Sequence, residues 1–493
     1  MSLGRRAAAV VLVLLAGCGR NEDTPRLNVI LVTLDTTRAD HLGAYGHPGD
    51  ITPNLDALAQ DGTRFDLAIS AAAVTPVSHA SILTGLYPFT HGLRVLSAEG
   101  GYRLPSTVPT LATVLKERGY RTAAIHSAFP VSAYFGFERG FDLFESFDSS
   151  MKVGPKGATW DLPKLQRRSD QTTDLALDFL GRSKEPFFLW LHYWDPHDAA
   201  RVPPPEFLPA DVPRNELGQP LPGRALYAAE MHYMDHEFGR LVQALKQSSE
   251  YERTIIVIVA DHGEGLGDHG WEYHRILYQE QIHVPLIVRV PGVKQAASSA
   301  ALVRSIDILP TVLDYLGVAG PKAVDGESLR NLLEGRPDHE RTAYADQLNA
   351  LDANAGGLVK SRPLDDFLFC AMDARWKLVY RPAHPRASEL YNIRDDPHET
   401  QNQFTRHPEE AVRLERELGM FGGWVTKPFP PLGDAQARAQ AQQALNSLGY
   451  AGSAAAHDLD WSWSCPEHTD VVQEGPGKCS VCGGPLIPSR AKQ

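Results

Sequence analysis

Five apolar runs, most of them ending on polar or metal-capable residues, constrain this chain more than any other feature. Residues 28–34 lead into Asp35, 120–125 into His126, 187–190 into His192, Asp195 and His197, and 254–260 into Asp261 and His262; a fifth run covers 286–290. Near-continuous apolar runs of this length mark strands buried on both faces. Helical stretches lie between them at 55–60, 108–118 and 227–246. The alternation predicts an α/β chain with a parallel or mixed sheet flanked by helices. In open sheets of this kind ligands gather beyond the carboxyl ends of the strands. Asp35, Asp261 and His262 fall there, so the sheet and the chemistry are read from one pattern. At 493 residues the chain exceeds one simple domain and can bury a large core.

The ends of the chain read differently from its body. Arg5 and Arg6 precede an apolar stretch, 7–15, that is too short to span a bilayer as a helix. Leu15-Ala16-Gly17-Cys18 follows and resembles a bacterial lipobox, which makes 1–17 a lipoprotein signal peptide, Cys18 the lipidated residue and 18–26 a polar tether. Gly19, rather than Asp, after that cysteine resembles the Gram-negative pattern that permits transfer to the outer membrane. The expectation is an exported protein, lipid-anchored in the cell envelope, with the membrane as a partner. A net charge of -12 without a basic cluster gives no footprint for nucleic acid.

Past about residue 336 the texture changes to strands at 376–380 and 389–393 and a helix at 408–418, a small α+β subdomain expected over 339–425. Residues 427–431 are a proline-rich break, 436–448 a lone helix and 451–460 small and polar, so 426–460 is read as a linker. The tail, 461–493, carries Cys465, His468, Cys479 and Cys482 as a C-x-x-H…C-x-x-C set. Three thiolates and an imidazole at this spacing suit tetrahedral zinc or another soft metal. The segment resembles the heavy-metal-binding domain of bacterial metal-efflux proteins, with Glu467 and Gly484 where methionines often stand, which favours zinc. Cys370, alone between Phe369 and Ala371, is expected to be a buried small hydrophobe.

The oxygen and nitrogen donors of Asp35, Asp261 and His262 suit one divalent cation, Mn, Ca, Mg or Zn. Thr75 precedes Pro76 and a helix-compatible run, which predicts Thr75 at the helix N-cap, where an anion is favoured. A threonine hydroxyl is a weak nucleophile alone, and metal coordination lowers its pKa. His79, one helical turn on, and His197 and His274 are candidates to hold substrate oxygens or protonate a leaving group.

The segment 28–35 resembles the opening strand of the sulfatase family, within the alkaline phosphatase superfamily, and Asp261-His262-Gly263-Glu264 resembles its second metal motif. Tyr278-Gln279-Glu280, Val284-Pro285-Leu286-Ile287, 307–311, 325–329 and Glu389-Leu390-Tyr391 with Asp396-Pro397-His398-Glu399 resemble its later signposts. The resemblance implies an alkaline phosphatase-like α/β/α sandwich with a mixed central sheet over 27–338, with a zinc-ribbon-like module added at the tail. It implies that Asp35, Asp261 and His262 bind metal, that His197 contacts the ester group, and that His274 stands where a lysine is usual.

The departures matter as much. Thr75-Pro76-Val77-Ser78-His79 stands in place of Cys-x-Pro-Ser-Arg, so formylglycine cannot form; Thr36 replaces an aspartate of the metal pair. The Gly-Lys-Trp-His segment is missing, with only His126 and Ser127 nearby. Thr75 therefore resembles the metal-bound threonine of phosphoryl-transfer members of the superfamily. The expected function is metal-dependent hydrolysis of a sulfate or phosphate-type ester in a sulfated or phosphorylated small molecule or glycan. The alternatives are a transferase acting on envelope components and an inactive metal-binding lipoprotein.

Overall fold

The computed structural model describes residues 26–96, 103–145, 166–183, 186–197, 202–352 and 354–420, with short parts of 461–490. Its centre is β1, Asn28–Leu34, seven residues all buried, as the sequence Asn-Val-Ile-Leu-Val-Thr-Leu demands. Seven further strands complete the sheet: β2 (Thr63–Ile69), β3 (Arg121–His126), β4 (Leu143–Glu145), β5 (Phe187–Tyr193), β6 (Thr254–Ala260), β7 (His283–Arg289) and β8 (Ser298–Arg304). Their order is β4-β3-β5-β1-β6-β7-β2-β8. β7 runs antiparallel to β6 and β2 and the other pairings are parallel, so the sheet is mixed. Helices 111–117 and 169–182 both pack on β3, the first also against helix 75–84 and the second against helix 224–247, as in an α/β fold with a helix-flanked sheet.

Four of the five expected strands match within a few residues, and the fifth, read at 286–290, begins three residues earlier and ends one residue sooner, at 283–289. β2 and β8 were not expected. β2 alternates buried and half-buried positions and carries a register shift against both neighbours, and β8 starts with exposed and half-buried residues. Neither presents the unbroken apolar run that identifies a strand covered on both faces.

The C-terminal subdomain is a four-stranded antiparallel sheet in the order β12-β11-β10-β9, made of β9 (Ala343–Gln347), β10 (Leu368–Met372), β11 (Trp376–Tyr380) and β12 (Glu389–Asn392). The helix Pro408–Met420 packs on β10 and β11. Cys370 is fully buried in β10, and burial pushes its thiol up to about 12, so it is an inert core group. In the tail, strands at 461–464, 472–473 and 487–490 form a small antiparallel sheet. Cys18, Cys465, Cys479 and Cys482, the helix expected at 436–448 and the linker lie outside the described residues, while His468 is half-buried.

Candidate active site

The register of β1 and β6 pairs Leu34 with Ala260. The next residue on each strand is an aspartate, so Asp35 and Asp261 leave the sheet side by side at its carboxyl edge. Both are fully buried. Burial pushes both carboxyls well above the usual carboxylate range, and the charge of Asp261 adds to the rise at Asp35. Each carboxylate has one oxygen engaged and one without a hydrogen-bond partner. Asp261 Oδ1 accepts from the backbone N–H of Thr36 at 3.1 Å and of His262 at 2.7 Å, whereas Oδ2 has none. Asp35 Oδ2 accepts from His192 Nε2 at 3.0 Å, whereas Oδ1 has none.

His262 completes the group. Its Nδ1–H donates to the carbonyl of Gly263 at 2.9 Å, which leaves Nε2 as the lone-pair nitrogen. Ligand atoms of Asp35, Asp261 and His262 lie within 4.8 Å of one another. Two desolvated carboxylate oxygens without donors and one imidazole lone pair form a donor set that suits a divalent cation, and a cation removes the repulsion between the carboxyls. Gly263 is required by packing, because a Cβ there would lie 2.0 Å from the carbonyl oxygen of Glu280.

Thr75 Oγ1 lies 3.3 Å from His262 Nε2. Thr75 is the first residue of the helix Thr75–Thr84, and Val74, in extended conformation, is its N-cap, one position earlier than the sequence suggested. Pro76 then fills the second helical position, where a missing N–H costs nothing. Ser78, one turn along, donates to the carbonyl of Asp261 at 2.6 Å and ties this helix to the end of β6.

His79 does not meet the substrate-side expectation. Its Nδ1–H donates to the Thr75 carbonyl at 2.8 Å and its Nε2 accepts from Thr33 Oγ1 at 3.0 Å. Burial holds it neutral, with a pKa lowered to about 3. With both nitrogens engaged inside the protein, it fixes the backbone of Thr75. His274 donates from Nδ1 to the Ala73 carbonyl at 3.0 Å, so its Nε2 is an acceptor in the neutral ring. Burial pushes its pKa well below the usual value. A neutral imidazole at this position carries no fixed positive charge, unlike the lysine that the resemblance places here. His274 and His262 rings are 4.6 Å apart, and His197, stacked on Trp194 at 3.8 Å, lies 5.6 Å from His274. All seven catalytic-site candidates, Asp35, Thr75, His79, His197, Asp261, His262 and His274, thus share one region.

His192, on β5, was passed over as a site residue. Its Nδ1 accepts from the Ser127 N–H at 3.3 Å, which fixes the proton on Nε2 and aims it at Asp35. Its position at a strand end was visible in the sequence; its partner was not.

A second group, His269, Glu280 and Glu399, stands apart from this one. His269 Nδ1 meets Glu280 Oε1 at 3.0 Å, and Lys377 Nζ pairs with Glu399 Oε1 at 2.7 Å with both side chains fully buried. Lys377 neutralises the carboxylate that a cation would need, and the group instead clasps the C-terminal subdomain to the main sheet.

The sulfatase family profile matches residues 27–318. That span is more than half of the chain. The chain belongs to the sulfatase family. It is a hydrolase of the alkaline phosphatase superfamily, whose sulfatase members depend on a divalent metal. The N-sulphoglucosamine sulphohydrolase C-terminal profile matches 267–419, which takes in the small subdomain, and the heavy metal binding domain profile matches 462–488.

Among its relatives, the N-acetylglucosamine-6-O-sulfatase of Bacteroides thetaiotaomicron is 25% identical over 82% of this chain and 87% of its own length. The multifunctional alkaline phosphatase superfamily protein PehA of Trinickia caryophylli is 28% identical over 76% of this chain and 91% of its own. The crystal structure of the phosphonate monoester hydrolase of Agrobacterium radiobacter superposes with a TM-score of 0.64 at 24% identity, covering 80% of this chain and 95% of that one.

Proposed function

We propose that this sulfatase-family protein hydrolyses a sulfate or phosphate-type ester with Thr75 as the nucleophile in place of formylglycine. One observation carries the reading: the Thr75 hydroxyl lies 3.3 Å from the lone-pair nitrogen of His262, inside the buried Asp35, Asp261 and His262 donor set. Asp35 Oδ1, Asp261 Oδ2 and His262 Nε2 would hold a divalent cation, which supplies charge neutralisation and a lowered pKa for a neighbouring hydroxyl.

Thr75 Oγ1, held by the helix start and by His79 on its carbonyl, attacks sulfur or phosphorus. The Oγ1–S or Oγ1–P bond forms, the ester bond to the leaving oxygen breaks, and the proton lost by Thr75 is balanced by the one the departing alcohol takes up. Water then cleaves the threonyl ester, releasing sulfate or the phosphorus acid and restoring the hydroxyl. The leaving group has space beside His197 in a cavity of about 410 Å³ lined also by Leu226, Tyr227, Glu230, Glu264 and Tyr273. The relatives named for sulfate esters and for multifunctional activity support both ester classes as candidates.

The test is turnover of aryl sulfate, phosphate monoester, phosphodiester and phosphonate monoester substrates with Mn, Zn, Ca or chelator, in wild type and Thr75→Ala. Expected are metal-dependent turnover of at least one substrate, its loss in Thr75→Ala, and a threonyl adduct by intact-mass analysis of rapidly quenched protein. Full activity in Thr75→Ala refutes the nucleophile. We further propose that Cys18 carries a lipid that anchors the protein in the cell envelope, and that Cys465, His468, Cys479 and Cys482 hold zinc or another soft metal. Loss of membrane partitioning in Cys18→Ser, and loss of one bound metal per chain in Cys479→Ser with Cys482→Ser, are the expected results.

A further inference from the structure

Arg275 follows His274 directly and is 6% exposed. Its backbone has a φ of 86°, a region that residues with a Cβ rarely adopt and that persists where surrounding structure enforces it. The enforcement is visible. Asn349 Nδ2 donates to the Arg275 carbonyl at 3.0 Å, and Arg275 Nη1 donates to Asp352 Oδ2 at 2.6 Å. Both anchors come from the segment that follows β9. The other arm of the fork, Nη2, is shielded from solvent and has no hydrogen-bond acceptor. A buried charged donor left unpaired is costly, and natural structures pair such groups.

Arg275 directly follows His274, whose ring lies 4.6 Å from that of His262, so it stands on the segment that borders the candidate site. A dication held between Asp35 and Asp261 would be neutralised by those two carboxylates, and His79 has both ring nitrogens engaged inside the protein. Arg275 is a buried cation on the segment that borders that region and so can supply a positive group to an anionic ester.

We propose that Arg275 is a substrate-binding residue of this site, donating from Nη2 to a non-bridging oxygen of the transferred tetrahedral group. Asp352 holds one arm of the fork and Asn349 holds the Arg275 carbonyl, which leaves Nη2 as the buried arm without an acceptor. The ligand chemistry is a tetrahedral oxyanion, sulfuryl or phosphoryl, and planar guanidinium forks suit such oxygens. The proposal rests on the hydrolase reading for its substrate but not for its measurement.

The test uses the full chain loaded with Mn, with inorganic sulfate and inorganic phosphate as probes titrated calorimetrically. A charge-assisted hydrogen bond of this kind corresponds to about a 10- to 100-fold change in affinity. Arg275→Gln is expected to weaken anion binding by about that factor, and Arg275→Lys by less. Asp352→Asn, which breaks the anchoring ion pair but keeps the charge, is expected to lose less anion affinity than Arg275→Gln. In Arg275→Ala, added guanidinium restores part of the lost binding, which a purely structural role does not produce.

Anion affinity in a folded Arg275→Gln within twofold of wild type overturns the proposal. So does absence of anion binding in wild type, or an Asp352→Asn loss equal to that of Arg275→Gln with both proteins melting at equally lowered temperature. Arg275-dependent anion binding without turnover of any ester sustains this inference and defeats the hydrolase reading instead.

Discussion

Removing a charge from the centre of the site is expected to stabilise the metal-free protein. Asp35 and Asp261 are fully buried neighbours whose pKa values burial pushes well above the usual range. The sign follows from proton linkage. Between the unfolded carboxylate pKa, near 4, and the raised folded value, the native state holds protons that the unfolded chain has released. Stability of the metal-free protein therefore falls as pH rises through that window, by about 1.4 kcal/mol per pH unit for each proton retained. Asp35→Asn removes one of these groups and keeps the shape. Its carbonyl oxygen still accepts from His192 Nε2, which lies 3.0 Å from Asp35 Oδ2, and its amide can donate to Asp261 Oδ2, which has no partner.

In chelator, urea unfolding of both proteins from pH 5 to pH 8 should show the variant gaining on wild type as pH rises. The upper limit of the gain is about 1.4 kcal/mol per unit. The buried histidines common to both proteins cancel in the difference. Saturating Mn should reverse the order, raising the wild-type melting temperature and leaving the variant little changed. An Asp35→Asn protein that is less stable than wild type at pH 8 in chelator, with an unchanged pH slope, refutes the account of the paired carboxyls.

Three further outcomes follow from the same geometry. His192→Ala removes the donor that orients Asp35 and should weaken Mn binding by about 10- to 100-fold in competition with a fluorescent chelator, with the fold retained by circular dichroism. Lys377→Met leaves Glu399 as a buried unpaired carboxylate and should cost about 3–5 kcal/mol in urea unfolding, with the double variant Lys377→Met/Glu399→Gln recovering part of it. His79, His91, His126 and His197 are held near a pKa of about 3 by burial. Each ring makes the unfolded chain bind more protons than the native state below about pH 6.5, opposite in sign to the buried carboxyls, so His91→Gln should gain stability relative to wild type as pH falls from 6.5 to 5 in urea unfolding; a difference independent of pH contradicts the burial of His91 as a neutral ring.

The strands that build the site, and the residues at their ends, are legible in the order of the amino acids. β1 and β6 are near-continuous apolar runs, and Asp35, Asp261 and His262 follow them without a gap. Such runs are legible because burial on both faces of a strand is written into consecutive residues. β2 and β8 lie toward the far edge of the sheet from that centre, where partial exposure and register shifts blur the pattern. Helix 75–84 was legible from Pro76 onward, and only its cap was displaced by one residue.

What each site residue can do depends on partners that folding brings to it. The β1 and β6 register sets the two aspartates side by side. Carbonyls of Thr75 and Ala73, supplied by a different part of the chain in the second case, fix the protons on His79 and His274 and withdraw the first from substrate. Asp352, 77 positions away, anchors one arm of Arg275 and leaves the other for an anion. A histidine's tautomer and a guanidinium's unpaired arm depend on partners distant in sequence, so they come into being only when the chain has folded.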